Sequence, residues 1–253
     1  MRLLSCIARI ACDLLDVLAP RLCPACEGLL HESEIGYCDA CRASLEPAPF
    51  PRDLFQELVG ALGRDELALT SVGALYSFTQ DGPVQQLVHA VKYLGCYDLG
   101  VSLGCELGNA LSAFAEFDRI DAVVPVPLHS ARRRERGYNQ AEAIARGVAQ
   151  SRTLDLLPDA MTRAKHTRSQ TRLGADQRVA NVRQAFRVVA GDVDSRHILL
   201  CDDVCTTGAT LNACAEALLA QGAHSVAAAT VAKDLLTAGQ RCDPLPTALY
   251  GLS

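Results

Sequence analysis

Apolar positions in the first twenty residues recur with a helical period. Leu3, Leu4, Ile7, Ile10, Leu14, Val17 and Leu18 fall on or near one stripe, which predicts an amphipathic helix. Further on, Pro47, Pro49 and Pro51 break regular structure and mark a linker, felt from Leu45 to about Arg64 and assigned as a segment to residues 51–70. From Ser71 the pattern changes. Short apolar runs at Val72–Phe78, Ala122–Val126, Ala185–Val189, His197–Cys201 and Val226–Val231 read as strands. Between them, Pro83–Tyr93, Leu99–Phe117, Gln140–Gln150 and Thr210–Gln221 read as helices, the last closed by Gly222. Strands alternating with helices argue an α/β fold with a largely parallel sheet. No internal repeat or low-complexity segment interrupts it.

A chain of 253 residues fits one domain with a small companion. At 49% hydrophobic and 21% charged it can bury a substantial core. With no Trp and 5% aromatics, that core is packed from Ala, Leu and Val. The longest uncharged run, Ala217–Ala232, is 16 residues and contains Gln221, Gly222 and His224, too short and too polar to span a membrane. Arg9, Asp13 and Asp16 interrupt the N-terminal stretch, so it reads as an amphipathic helix rather than a signal peptide, and the expected location is the cytoplasm.

The net charge of −5 argues against a nucleic-acid partner, but its distribution does not. From His129 to Arg187 there are 13 Lys and Arg against 5 Asp and Glu, a net of +8 that leaves the rest of the chain at −13. A chain polarised in this way can present a basic face to an anion; the plainer reading is a solvated Arg-rich surface.

Four of the 12 cysteines are patterned as Cys23-Pro-Ala-Cys26 and Cys38-Asp-Ala-Cys41. Each Cys-x-x-Cys pair can wrap a turn around one metal, and four thiolates complete a closed tetrahedral zinc site of the structural kind. Gly28 and Gly36 flank the pairs and permit tight backbone there. The other cysteines are scattered among apolar residues and read as small buried hydrophobes.

The most informative stretch runs from Ile198 to Thr210, ILLCDDVCTTGAT. An apolar strand ends in Asp202 and Asp203, and a loop of small and hydroxyl residues then enters a helix. In open α/β sheets ligands bind beyond the carboxyl ends of strands. The segment Thr206, Thr207, Gly208, Ala209 and Thr210 would offer backbone N–H groups, hydroxyls and a helix N-terminus to a phosphate. Asp202 and Asp203 could accept hydrogen bonds from vicinal hydroxyls, with Mg²⁺ nearby. The chain contains neither a Gly-Lys-Ser/Thr triplet nor a G-x-G-x-x-G after a strand, so P-loop and dinucleotide fingerprints are absent. A plain helix-capping turn is the competing reading.

This stretch resembles the phosphoribosyl pyrophosphate (PRPP) signature of type I phosphoribosyltransferases. Further motifs narrow the resemblance to the ComF family (competence protein F, or GntX-like). They are the two Cys pairs, Lys92-Tyr93-x-Gly95, Val124-Pro125-Val126-Pro127 and the run Arg132-x-Arg134-x-Arg136-Gly137-Tyr138-Asn139-Gln140-Ala141. Thr167, Gln170, Leu173, Arg178, Asn181, Ala185 and Phe186 follow. The match covers about Leu14 to Lys233. Tyr138 stands where Phe is common, and Thr206 stands where hypoxanthine-guanine-type members carry an Asp, which argues against purine salvage of that kind.

The resemblance implies a type I phosphoribosyltransferase-like parallel sheet flanked by helices over residues 71–253, behind an N-terminal helix and four-Cys zinc module at 1–50. It implies that Asp202 and Asp203 hold the ribose 2′- and 3′-hydroxyls and act in catalysis, while Thr206–Thr210 hold the 5′-phosphate. The loop spanning Val126–Gln140 would supply Arg132, Arg134 and Arg136 to pyrophosphate, since guanidinium forks suit phosphate oxygens. Arg168, Arg172 and Arg178 would enter from a flexible loop at Thr162–Arg183. Asn139 and Gln140 either cap the helix that begins there or touch ligand. Implied cofactors are structural Zn²⁺ and Mg²⁺ bound with PRPP. The family association implies a role in DNA uptake, with single-stranded DNA, a competence helicase or other uptake proteins as partners. Two functions follow: phosphoribosyl transfer to an acceptor the sequence does not name, or a PRPP- or phosphate-sensing, DNA-binding or scaffold role.

Overall fold

A computed structural model describes residues 20–163, 185–189 and 191–234. The expected N-terminal helix, most of the 162–183 loop with Arg168, Arg172 and Arg178, and the tail from Leu235 lie outside them.

The order of elements is α1 (Asp39–Ser44), α2 (Pro51–Leu62), β1 (Val72–Phe78), α3 (Pro83–Tyr93), α4 (Tyr97–Leu111), β2 (Ala122–Pro125), α5 (Ser130–Arg136), α6 (Gln140–Arg152), β3 (Asp155–Leu156), β4 (Met161–Arg163), β5 (Phe186–Val188), β6 (His197–Cys205), α7 (Ala209–Leu219) and β7 (Ser225–Asp234). Five strands form one sheet in the order β1-β7-β6-β2-β3, and every pairing in it is parallel. The fold is therefore the α/β type expected, a parallel sheet of phosphoribosyltransferase type with helices on both faces.

Alternation along the central strands sorts the core. On β6, Leu199 and Cys201 face a layer containing Leu87 of α3, Leu103 of α4 and Ile144 of α6. Ile198 and Leu200 point the other way, toward Leu54 and Leu58 of α2 and Leu211 and Cys214 of α7. A strand buried on both faces needs a continuous apolar run, which Ile198–Cys201 supplies in β6 and Val226–Ala229 in β7.

Residues 51–62, expected within a linker, form a helix. Pro51 sits in its first turn, where a missing N–H costs nothing, and Leu54 and Leu58 are buried beneath it. The prolines stop the preceding strand-like segment instead. Pro47 bridges to Tyr76, and Ser77 N–H donates to the Glu46 carbonyl at 2.9 Å. That segment covers the free edge of β1.

The cysteine module joins the same core. Cys23, Tyr37, Cys41 and Leu45 pack into the layer that holds Leu87 and Leu103. Its contact with the sheet is polar as well. Tyr37 and Tyr76 hydroxyls donate to Glu106 Oε2 at 2.7 and 3.0 Å, and Arg42 pairs with Glu106 Oε1 at 2.5 Å while stacking on Tyr37.

Candidate functional site

After β2 the chain turns outward to β3, and it later returns to β6 and β7 on the other side. The switch in strand order therefore falls between β2 and β6, where open α/β sheets form their crevice. The sheet itself opens there. Pairing of β2 with β6 ends at Pro125 and Cys201, with one more bond from Val126 N–H to the Cys201 carbonyl at 2.9 Å. Pairing of β6 with β7 continues through Asp202 to Cys205. The strand thus runs four residues past its expected end at Cys201, because β7 keeps supplying partners. Asp202 and Asp203 stand where β2 has left the sheet.

Asp203 is 7% exposed; its Oδ1 pairs with Lys92 Nζ of α3 at 2.9 Å, and its Oδ2 is buried without a partner. Asp202 Oδ1 accepts the Asp203 N–H at 2.8 Å. Burial and the Asp203 carboxylate push Asp202 up to about 7, and Lys92 and Arg163 offset part of this.

The loop that follows presents Thr206 exposed and Thr207 half-buried. Gly208 takes φ +75° as the N-cap of α7, and no side chain caps that helix. Thr207 Oγ1 accepts the Ala209 N–H only at 3.4 Å. The turn therefore caps α7 only weakly, through that one long bond. Gly208 also lets Leu58 of α2 approach closely: a Cβ there would lie 2.6 Å from Leu58 Cδ2.

The Arg-rich segment is not a plain loop. Ser130–Arg136 is helical, with His129 Nδ1 accepting from Ala131 N–H at its start and Gly137 at φ +81° closing it. Helical spacing puts Arg132 and Arg136 on one side and Arg134 nearly opposite, so the three do not converge on one group. Arg136 lies over the Tyr93 ring, 4.8 Å from its centroid, on the neighbour of Lys92. Asn139 caps α6, one of its two expected roles, and also donates to the Val126 carbonyl at 3.1 Å. Beside it Gln140 is buried with Oε1 unpartnered.

β4 and β5 form an antiparallel ribbon at the base of the segment expected to be flexible. Arg163 on β4 stacks over Phe186 at 5.3 Å, and its Nε is buried without a partner.

Lys92, Arg163 and the Lys233–Glu57 pair carry charge at the site that the motifs left without a role. Signals for two of them exist. Lys92 stands in a quoted motif, and Lys233 is the charge that ends the uncharged run Ala217–Ala232 inside a doubly buried strand.

The four cysteine sulfurs lie within 4.8 Å of one another, with Cys26 and Cys38 Sγ 3.7 Å apart. That matches the edge of about 3.8 Å that Zn–S bonds of about 2.3 Å set in a tetrahedron. Against the effect of burial, N–H donors of Cys38, Ala25 and Cys26 bring Cys23 down to about 7, toward the thiolate a metal needs. Gly36 takes positive φ as expected. At the first pair the left-handed residue is Glu27, at φ +60°, rather than Gly28.

Fold and site together define a phosphoribosyltransferase-type α/β protein with an appended four-cysteine module. The phosphoribosyl transferase domain family model matches residues 115–242, and the chain belongs to that family. It is 28% identical to competence protein F of Haemophilus influenzae over 217 residues, 81% of this chain and 93% of that protein. It is 30% identical to DNA utilization protein YhgH of Escherichia coli over 155 residues, 57% of this chain and 64% of that protein. Competence protein ComFC of Streptococcus pneumoniae is 29% identical over 59% of this chain and 63% of its own length. These likenesses bear out the ComF resemblance. Among solved structures, a glutamine PRPP amidotransferase from B. subtilis is 17% identical over 56% of this chain and 30% of its own, with a TM-score of 0.39. Among the described residues no helix is long and apolar enough to cross a membrane.

Proposed function

We propose that the crevice between β2 and β6 binds Mg²⁺·PRPP. The observation that carries this is the buried, half-unpartnered Asp203 beside the weakly capped start of α7. Asp202 and Asp203 take the ribose 2′- and 3′-hydroxyls, and Thr206, Thr207, Gly208, Ala209 and Thr210 take the 5′-phosphate. Arg136, with Arg132 on its side of α5, serves the pyrophosphate; Arg134, Arg168 and Arg178 are further candidates. Mg²⁺ would offset diphosphate charge beside the acid pair. Zn²⁺ held by Cys23, Cys26, Cys38 and Cys41 is structural.

Calorimetric titration with Mg²⁺·PRPP tests the binding. Asp203→Ala is expected to weaken it at least about tenfold, and absent or undiminished binding overturns the proposal. Incubation with PRPP across candidate acceptors then separates transfer from sensing, because only transfer releases pyrophosphate.

The names of the relatives, together with the exposed Arg132 and Arg134, support a role in DNA uptake through single-stranded DNA. Contact would run through phosphates, so affinity should fall steeply with salt and tolerate any sequence. Anisotropy at two salt concentrations tests this. An Arg132/Arg134/Arg136→Ala variant should bind more weakly with a shallower salt slope. No binding at low salt leaves a protein-mediated role, through a competence helicase or another uptake protein.

A further inference from the structure

We infer that Lys233, held by Glu57, is a positioning residue that fixes the direction of the Thr206–Thr207 peptide group and thereby sets the loop's affinity for phosphate. The inference rests on reading Thr206–Thr210 as the phosphate site.

Lys233 is 0% exposed. An ammonium taken wholly out of water is tolerated only when its donors are satisfied and its charge is matched. Here each of its three N–H bonds finds an acceptor: Glu57 Oε1 at 2.7 Å, the Thr206 carbonyl at 3.1 Å and the Asp234 carbonyl at 2.5 Å. Glu57 supplies the charge from α2, an element expected only as a linker.

The bond to Thr206 has a consequence one residue on. No cis peptide occurs among the described residues, and in a trans peptide the C=O and N–H point in opposite directions. A Thr206 carbonyl drawn to the buried Lys233 ammonium turns the Thr207 N–H away from it, beside a Thr206 that is itself exposed. With the peptide reversed, a carbonyl oxygen would face an incoming phosphate and repel it. Donors fixed beforehand in this way cost no reorganisation when the anion arrives. α2 holds the loop at a second point, since Leu58, the residue after Glu57, packs against Gly208. A lysine that merely tied β7 to α2 would add stability and leave phosphate affinity alone.

The test uses the full chain, ¹⁵N-labelled, titrated with inorganic phosphate and separately with Mg²⁺·PRPP. Wild-type protein should show a phosphate-dependent shift of the Thr207 amide. Lys233→Met should bind both ligands at least about tenfold more weakly and lose that shift. Because Lys233→Met strands Glu57 and can fail to fold, the double variant Glu57→Gln/Lys233→Met, which leaves no unpaired charge, is measured beside it. It should unfold near the wild-type temperature and bind just as weakly. Phosphate binding by the double variant within about twofold of wild type, or a wild-type Thr207 amide that phosphate does not move, overturns the inference. Wild type that binds phosphate at Thr207 but not PRPP removes the PRPP reading and leaves this one standing. Wild type that binds PRPP as well as both variants do removes this one alone.

Discussion

Asp202 shows how a single carboxyl can report the state of the site. Its folded value of about 7 lies above the ordinary 3.8. Between those values the folded protein holds a proton that the unfolded chain releases, so stability falls as pH rises through that window and levels off above it. Asp202→Asn removes the titrating group. Urea unfolding of the ligand-free protein should show a wild-type decline from about pH 5 to about 7 that the variant lacks, leaving the variant the more stable form at pH 8. Parallel pH profiles for the two proteins would mean that the acid pair is not strained. Lys92 holds the same carboxyl down, so Lys92→Met should carry the decline to higher pH than in the wild type.

At the scale of elements, α2 is the part whose role was least visible beforehand. Proline-rich flanks suggested a connection, yet the helix wedges Leu58 against Gly208 and Glu57 against Lys233. Gly208→Ala meets both a left-handed backbone and a Cβ contact of 2.6 Å, and should cost about 1–3 kcal/mol. Leu58→Ala, which empties a buried position, should cost about 2–5 kcal/mol. The two are not independent, because removing Leu58 clears the space the new methyl needs. The double variant should therefore lose less than the two single losses combined. Strict additivity in denaturant melts would show that the wedge is not the source of the strain. α5 makes a related point. The segment was expected as a loop whose Arg132, Arg134 and Arg136 all serve one anion, but helical winding separates Arg134 from Arg132 and Arg136.

Across the whole molecule, the cysteine module and the sheet share one core layer and the Tyr37–Tyr76–Glu106–Arg42 cluster. Zinc should therefore support more than the module. Purified protein is expected to carry one equivalent per chain, and chelation should lower the thermal midpoint of the entire unfolding transition. A midpoint indifferent to chelator, or zinc well below one equivalent, would exclude that role. Much of this architecture was legible in the sequence, because its causes are local. The runs Val72–Phe78 and Pro83–Tyr93 announce their period within themselves, Cys-x-x-Cys spacing is set by the reach of one turn, and an apolar strand running into two acids marks a carboxyl edge. Other features depend on which segment lies next to which. Only the departure of β2 beside a continuing β7 decides that Asp203 is buried with one oxygen free. Only the return of α2 across the sheet decides that Lys233 has a counter-charge and that the Thr206 carbonyl faces inward. Those contacts join residues such as Glu57 and Lys233, 176 positions apart. Periodicity records which side of an element is apolar, whereas the identity of the partner on that side is a property of the packed chain.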